Sequence, residues 1–156
     1  MITIKNTQRK FLIDTARLER QTRLLLSYLK YSDFDVGIWI TTNRTLQKYN
    51  AMYRGKNKPT DILSFPFHPH LKAGDPIVPA SEDEKNLGDI IISAERVMYD
   101  AQDLEVSFEQ RLERLLVHGI THLLGYDHVT DEDYRHMNRV EESLLQYLCI
   151  SDPEKK

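Results

Sequence analysis

Apolar residues recur along this chain with two different periods, and the switches between them divide it into short strands and helices. Residues 2 to 7 alternate Ile2 and Ile4 with polar neighbours, as a half-buried strand does. Asp14 or Thr15 then caps a helix carrying Ala16, Leu18, Leu24, Leu25, Leu26, Tyr28 and Leu29, with Arg17, Arg20, Arg23 and Lys30 on its solvated side. The β-branched and aromatic run Val36-Gly37-Ile38-Trp39-Ile40-Thr41 predicts a second strand. Thr42 or Asn43 caps a following helix expected to end near Met52.

Tyr53-Arg54-Gly55-Lys56-Asn57-Lys58-Pro59-Thr60-Asp61 reads as a turn-rich, basic loop leading into a strand over Ile62-Leu63-Ser64-Phe65-Pro66-Phe67. Pro66 has no amide donor, which places that strand at a sheet edge or ends it there. Residues 68 to 86, with His68, Pro69, His70, Gly74, Pro76, Pro79 and an acidic run from Glu82 to Glu84, have loop composition. Residues 87 to 93 form a buried strand, after which Ser93 caps a helix carrying Ala94, Val97, Met98 and Ala101. Ser107 and Gln110 form a capping box that opens a helix with the stripe Phe108, Leu112, Leu115, Leu116, Gly119, Ile120 and Leu123. Thr130, followed by Asp131, Glu132 and Asp133, starts the last helix, which carries Met137, Val140, Leu144 and Leu145. Strands scattered among helices predict an α+β fold, with a small mixed β-sheet of about four strands packed with about five helices.

Composition adds limits. At 156 residues the chain is read as a single domain over 1–156. A net charge of −3 gives no global electrostatic argument for nucleic acid, so a polyanion site has to be a local basic patch. No stretch has signal-peptide or membrane-spanning character, and a cytoplasmic location without membrane contact is expected. Cys149 is the only cysteine, which excludes an internal disulfide and a cysteine-based zinc knuckle; beside Leu148 and Ile150 it reads as a small apolar filler.

The candidate chemistry lies at the end of the fourth predicted helix. His118 and His122 stand four apart, so their imidazoles project from one face one turn apart, on the rim of the apolar stripe. Gly125 allows the left-handed residue that ends a helix, and the chain then turns back to bring His128 to the same point. Three neutral imidazoles without a fourth protein ligand suit one zinc ion, or a similar divalent metal, with a coordination position left open. His68 and His70 flank Pro69 in a loop as a surface pair, and His136 is expected on an exposed or half-buried helix face. Ser64 and Thr60 have no histidine and acid at a nucleophile's spacing and are read as strand and turn residues.

The His118-Gly-x-x-His122-Leu-x-Gly125-Tyr126-Asp127-His128 motif, the Tyr53-Arg54-Gly55-Lys56 to Pro66 segment and Leu87-Gly88-Asp89-Ile90 together resemble the YbeY family of bacterial endoribonucleases. The resemblance implies a zinc-dependent, single-strand-specific endoribonuclease acting at the 3′ end of small-subunit ribosomal RNA and in ribosome quality control. It also implies a metzincin-like zinc helix, the small ribosomal subunit as partner, and a small-subunit ribosomal protein or an assembly GTPase as further partners. The same histidines look like the metzincin metalloprotease motif HExxHxxGxxH, but Gly119 stands where the catalytic glutamate belongs. That loss removes a general base worth roughly 10²–10⁴-fold and argues against peptide hydrolysis. A noncatalytic zinc-containing ribosome-binding protein is a third reading, opposed by the absence of a fourth protein ligand. For phosphodiester cleavage Arg54 is the expected catalytic cation, because its guanidinium fork matches phosphate oxygens. Lys56 and Lys58 extend the patch as substrate-binding candidates. Asp127 is the nearest candidate to replace the missing general base, and a role in orienting a ligand imidazole from behind or in fixing the turn is favoured over that one.

Overall fold

The structure is a computed structural model and describes residues 1–155. It has four strands and five α-helices in the order β1 (Ile2–Asn6), α1 (Thr15–Tyr28), β2 (Asp35–Thr41), α2 (Asn43–Arg54), β3 (Ile62–Pro66), β4 (Asn86–Ser93), α3 (Ala94–Leu104), α4 (Phe108–Leu123) and α5 (Asp131–Ser151). The sheet order is β1-β2-β4-β3, with β1, β2 and β4 parallel and β3 antiparallel to β4 at the edge, as Pro66 requires.

Alternation along the strands decides which helix packs where. Val36, Ile38, Ile40, Ile90, Ile92 and Ile62 turn to one face and join the stripes of α1, α4 and α5 in the main core. Trp39, Ile91, Leu63 and Phe65 turn to the other, where Leu46 and Tyr49 of α2 meet them. Two close approaches depend on glycine. At Gly88, φ +119°, a Cβ would lie 2.1 Å from the Phe65 carbonyl oxygen, so any side chain there forces β3 off β4. At Gly119 a Cβ would lie 2.8 Å from Ile90 Cδ1 and 3.0 Å from Ile62 Cδ1, which is how α4 settles closely onto the sheet.

The expected caps form: Asp14, Thr42, Ser93, Ser107 and Thr130 each accept a backbone N–H of the following first turn. Three sequence expectations need correction. The second helix does not stop near Met52; it runs to Arg54 and ends at Gly55, whose left-handed φ of 66° supplies the cap. Arg54 therefore sits on the last turn of a helix, not in a loop. Cys149 is exposed rather than filling the core, because Leu144 and Leu148 define the buried side of α5 and position 149 turns outward.

Polar burial holds the end of α5 to α1. The wholly buried Asp152 carboxylate accepts hydrogen bonds from Arg20 Nε at 3.1 Å and Gln21 Nε2 at 3.2 Å. Burial alone would raise this carboxyl, but hydrogen bonds from the Glu154 amide, Arg20 and Gln21 outweigh it and hold it below the ordinary carboxylate range. With the folded value depressed, the stabilisation is present above the unfolded pKa of about 3.9 and is lost as pH falls through the folded value. Urea midpoints of the wild type should therefore drop on acidification below about pH 4. Asp152→Asn should show a shallower drop and a loss of about 1.5–3 kcal/mol at neutral pH. Equal acid limbs for the two proteins would remove Asp152 from this role.

Candidate metal centre

The last turn of α4 and the chain reversal after it build the site. His118 and His122 lie one turn apart on α4, and Leu124 ends the helix with its N–H bonded to the Ile120 and Thr121 carbonyls. Gly125 follows at φ +92°, with its Cα against the Leu71 carbonyl, where a Cβ would approach to 2.4 Å. This glycine thus reverses the chain and lets the 68–75 loop close over the turn. Thr121 Oγ1 donates to the His118 carbonyl at 2.7 Å, and the turn brings His128 back over the helix end.

The ligand atoms of His118, His122 and His128 all lie within 4.8 Å of one another. The Nε2 atoms of His118 and His122 are 3.1 Å apart. Two nitrogens bound tetrahedrally at 2.0–2.1 Å to one ion would be separated by roughly 3.3 Å, so this pair already stands close to chelating distance. The remaining nitrogen of His118, Nδ1, faces Glu141 Oε2 of α5 at 3.4 Å. A carboxylate behind an imidazole fixes its tautomer and turns the other nitrogen inward, the usual support of a metal-ligating histidine. Burial, followed by the neighbouring His118 and His128, lowers the His122 pKa and favours the neutral imidazole that binds metals. The donor set therefore fits a divalent ion of zinc's preference for nitrogen.

These histidines form one wall of a cleft of about 670 Å³, whose other walls are Arg54 at the end of α2, the β3 strand from Ile62 to Pro66, and the loop residues His68, Pro69 and Leu71. Arg54 is thus brought to the same cavity as the three imidazoles although 64 residues separate it from His118 in the chain (118 − 54). Lys56 and Lys58 do not line the cleft; their backbones form the turn after α2, where Lys56 N–H donates to Asn50 O and Asn50 Nδ2 donates to Lys58 O. Asp127 does line it, but its Oδ1 accepts the His128 amide at 2.8 Å while lying 3.9 Å from His128 Nδ1. That contact ties Asp127 to the backbone of the turn. Ser64, Thr60 and His68 also border the cavity, the last with Nε2 2.9 Å from the Glu84 carbonyl, whereas His136 is exposed on α5.

Sequence reasoning missed Glu141, which only the packing of α5 on α4 brings to His118. It also missed Arg111, which joins Asp61 of the cleft rim at 3.3 Å to Asp100 of α3 at 3.5 Å. The only available signal was an arginine on the rim of an otherwise apolar helix stripe.

A family model described as Endoribonuclease YbeY matches residues 3–149. The chain belongs to the YbeY family. Among YbeY relatives, the human Endoribonuclease YbeY is 37% identical over 147 residues, covering 94% of this chain and 87% of the human one. That of Bartonella henselae is 39% identical over 137 residues, covering 86% and 82%, and that of Rhizobium etli 43% identical over 119 residues, covering 76% and 66%. The solution structure of TM1509 from Thermotoga maritima superposes over the whole of both chains with a TM-score of 0.58 at 24% identity, a likeness of fold. No helix among the described residues is long and apolar enough to cross a membrane.

YbeY membership leaves Gly119 in the metzincin-like motif to be explained, and the close contact with Ile90 and Ile62 explains it. Gly119→Glu should not yield a protease. The added side chain has to displace two isoleucines and bury a carboxylate, costing at least about 1–3 kcal/mol from overpacking alone. A lowered melting temperature with no casein cleavage is expected. A stable variant that cleaves casein would overturn this account of the cleft.

Proposed function

We propose that this chain is a single-domain, zinc-dependent endoribonuclease that cuts single-stranded RNA, with small-subunit ribosomal RNA as its substrate. The observation that carries the reading is the convergence of three imidazoles and one guanidinium on a single cleft. His118, His122 and His128 would hold the ion, with Glu141 orienting His118. Zinc held there supplies Lewis acidity.

The protein's own groups do the rest. Arg54 presents a permanently charged, planar fork to the phosphate oxygens and counters the charge that grows on them as the phosphodiester is attacked. Asp127 holds the turn that delivers His128. The β3 edge and the 68–71 loop form walls that would position one strand of RNA. Lys56 and Lys58, outside the cleft lining, would meet flanking phosphates and add to affinity without acting on the scissile bond. A location in the cytoplasm, where immature subunits are found, and contacts with a small-subunit ribosomal protein or an assembly GTPase belong to the same proposal.

The test is incubation of metal-loaded and metal-stripped protein with purified immature small subunits, followed by mapping of RNA ends. New ends that require the metal are expected. Identical ends with and without it would overturn the proposal. The competing peptidase reading lacks a carboxylate at position 119, and no observation favours it.

A further inference from the structure

The face of the sheet opposite the main core carries a second groove, of about 430 Å³, floored by β2 and β4 and walled by aromatic rings. Those rings form a continuous series. Trp39 meets Tyr49 edge-on at 5.6 Å, Tyr49 stacks on Tyr53 at 5.8 Å with 11° between the ring planes, and Tyr53 meets Phe65 at 5.4 Å. The arrangement follows from the sequence: Tyr49 and Tyr53 are four apart on α2, while Trp39 and Phe65 point to the same side of their strands. Tyr53 and Phe65 line both this groove and the cleft that holds Arg54 and the histidines. The groove and the cleft therefore adjoin at these two rings.

We propose that the groove is a base-stacking track that receives the single-stranded RNA flanking the bond being cut. The proposal rests on the nuclease reading of the cleft and adds where the rest of the strand lies. Aromatic faces hold bases without regard to sequence, and cations hold the backbone between them. Both are present: Arg54 stands at the cleft end, and at the far end Lys5 Nζ lies 4.9 Å from the centroid of the Trp39 ring. The Trp39 ring is fixed for this duty, since its Nε1 donates to Thr7 Oγ1 at 2.8 Å. Asp89 is exposed on the same face, beside Gly37 and Phe65 in the strand register. A carboxylate there repels phosphate but accepts a hydrogen bond from the amino edge of a base, so bases turn toward the sheet and the backbone toward solvent. The shared Tyr53 and Phe65 wall, with Lys5 on the groove side and Arg54 on the cleft side, favours RNA over an apolar segment of a protein partner.

Trp39 is the only tryptophan, so its emission reports on the track alone. The metal-loaded full chain would be titrated with 2′-O-methyl oligouridines of about four and about twelve nucleotides, with anisotropy following binding and Trp39 emission following the track. The longer oligomer should bind more tightly and quench Trp39, and the shorter should bind with little quenching. Tyr49→Leu should weaken the longer oligomer by about 5- to 100-fold and narrow its advantage over the shorter one, while Tyr49→Phe, which keeps the ring, should restore it. Saturation by the longer oligomer with unchanged Trp39 emission would overturn the track and leave the nuclease reading standing. Emission that responds to an apolar helical peptide but not to the bound oligomer would assign the groove to a protein partner instead. Failure of both oligomers to bind would overturn the track and the nuclease reading together.

Discussion

Replacing His122 by Ala is expected to empty the site of metal and to abolish RNA cleavage while the protein stays folded. His122 is only half-buried, and its truncation leaves the apolar contacts of Leu123 and Ile120 in place. Two imidazoles remain, but a two-ligand site holds a divalent ion too weakly to survive dialysis. A Lewis acid in such a site contributes several kcal/mol to barrier lowering, and about 4 kcal/mol corresponds to roughly 10³-fold in rate. His118→Ala and His128→Ala should behave alike. Glu141→Gln should be milder, losing on the order of 10- to 100-fold in metal affinity, because it removes only the support behind His118. Elemental analysis of dialysed variants separates these outcomes without reference to activity, and full metal occupancy in all three histidine variants would sink the ligand assignment.

That graded series also marks the line between what is readable in the sequence and what is not. Local rules reach far: every expected helix start is capped by one of its candidate residues, the Ser107 and Gln110 box forms, and the three histidines meet, because spacing on one helix and a glycine reversal are properties of adjacent residues. The sequence pattern ends α2 two residues early because Gly55, the residue that stops it, reads as one more turn residue, although its left-handed φ and its N–H bond to Asn50 O are those of a helix cap. Glu141, Arg111 and the Asp152 cluster depend on how helices far apart in sequence rotate against one another, and no periodicity along a single helix encodes that. Cys149 illustrates the same point in reverse. Its apolar neighbours suggested burial, but one position on a helix is 100° of rotation, enough to turn it from the Leu148 side to solvent. The mixed character of the sheet was legible; the antiparallel pairing of β3 against β4, which sets Ser64 to Pro66 along the cleft, had no local signal apart from Pro66 at an edge.

Arg54→Ala should retain the fold and the metal and lose most of the cleavage rate. The side chain is exposed on the last turn of α2, so its removal opens no cavity, and the lost favourable interaction with the helix C-terminus is worth only about 0.3–1 kcal/mol. A cation that meets charge developing in the transition state is a different matter, and the loss of one such donor typically costs about 10²–10³-fold in turnover. The deficit should appear in the single-turnover rate at saturating RNA, with binding weakened much less, because ground-state phosphate attraction is shared with neighbouring cations. Arg54→Lys should recover part of the charge but not the planar, two-pronged contact, and should fall between wild type and Ala. Lys56→Ala and Lys58→Ala, which lie beyond the cleft, should instead lower affinity and reduce its dependence on salt, leaving the saturated rate near that of the wild type. Cleavage by Arg54→Ala at the wild-type rate under saturating RNA would remove Arg54 from the chemistry and leave the three histidines as the whole of the catalytic centre.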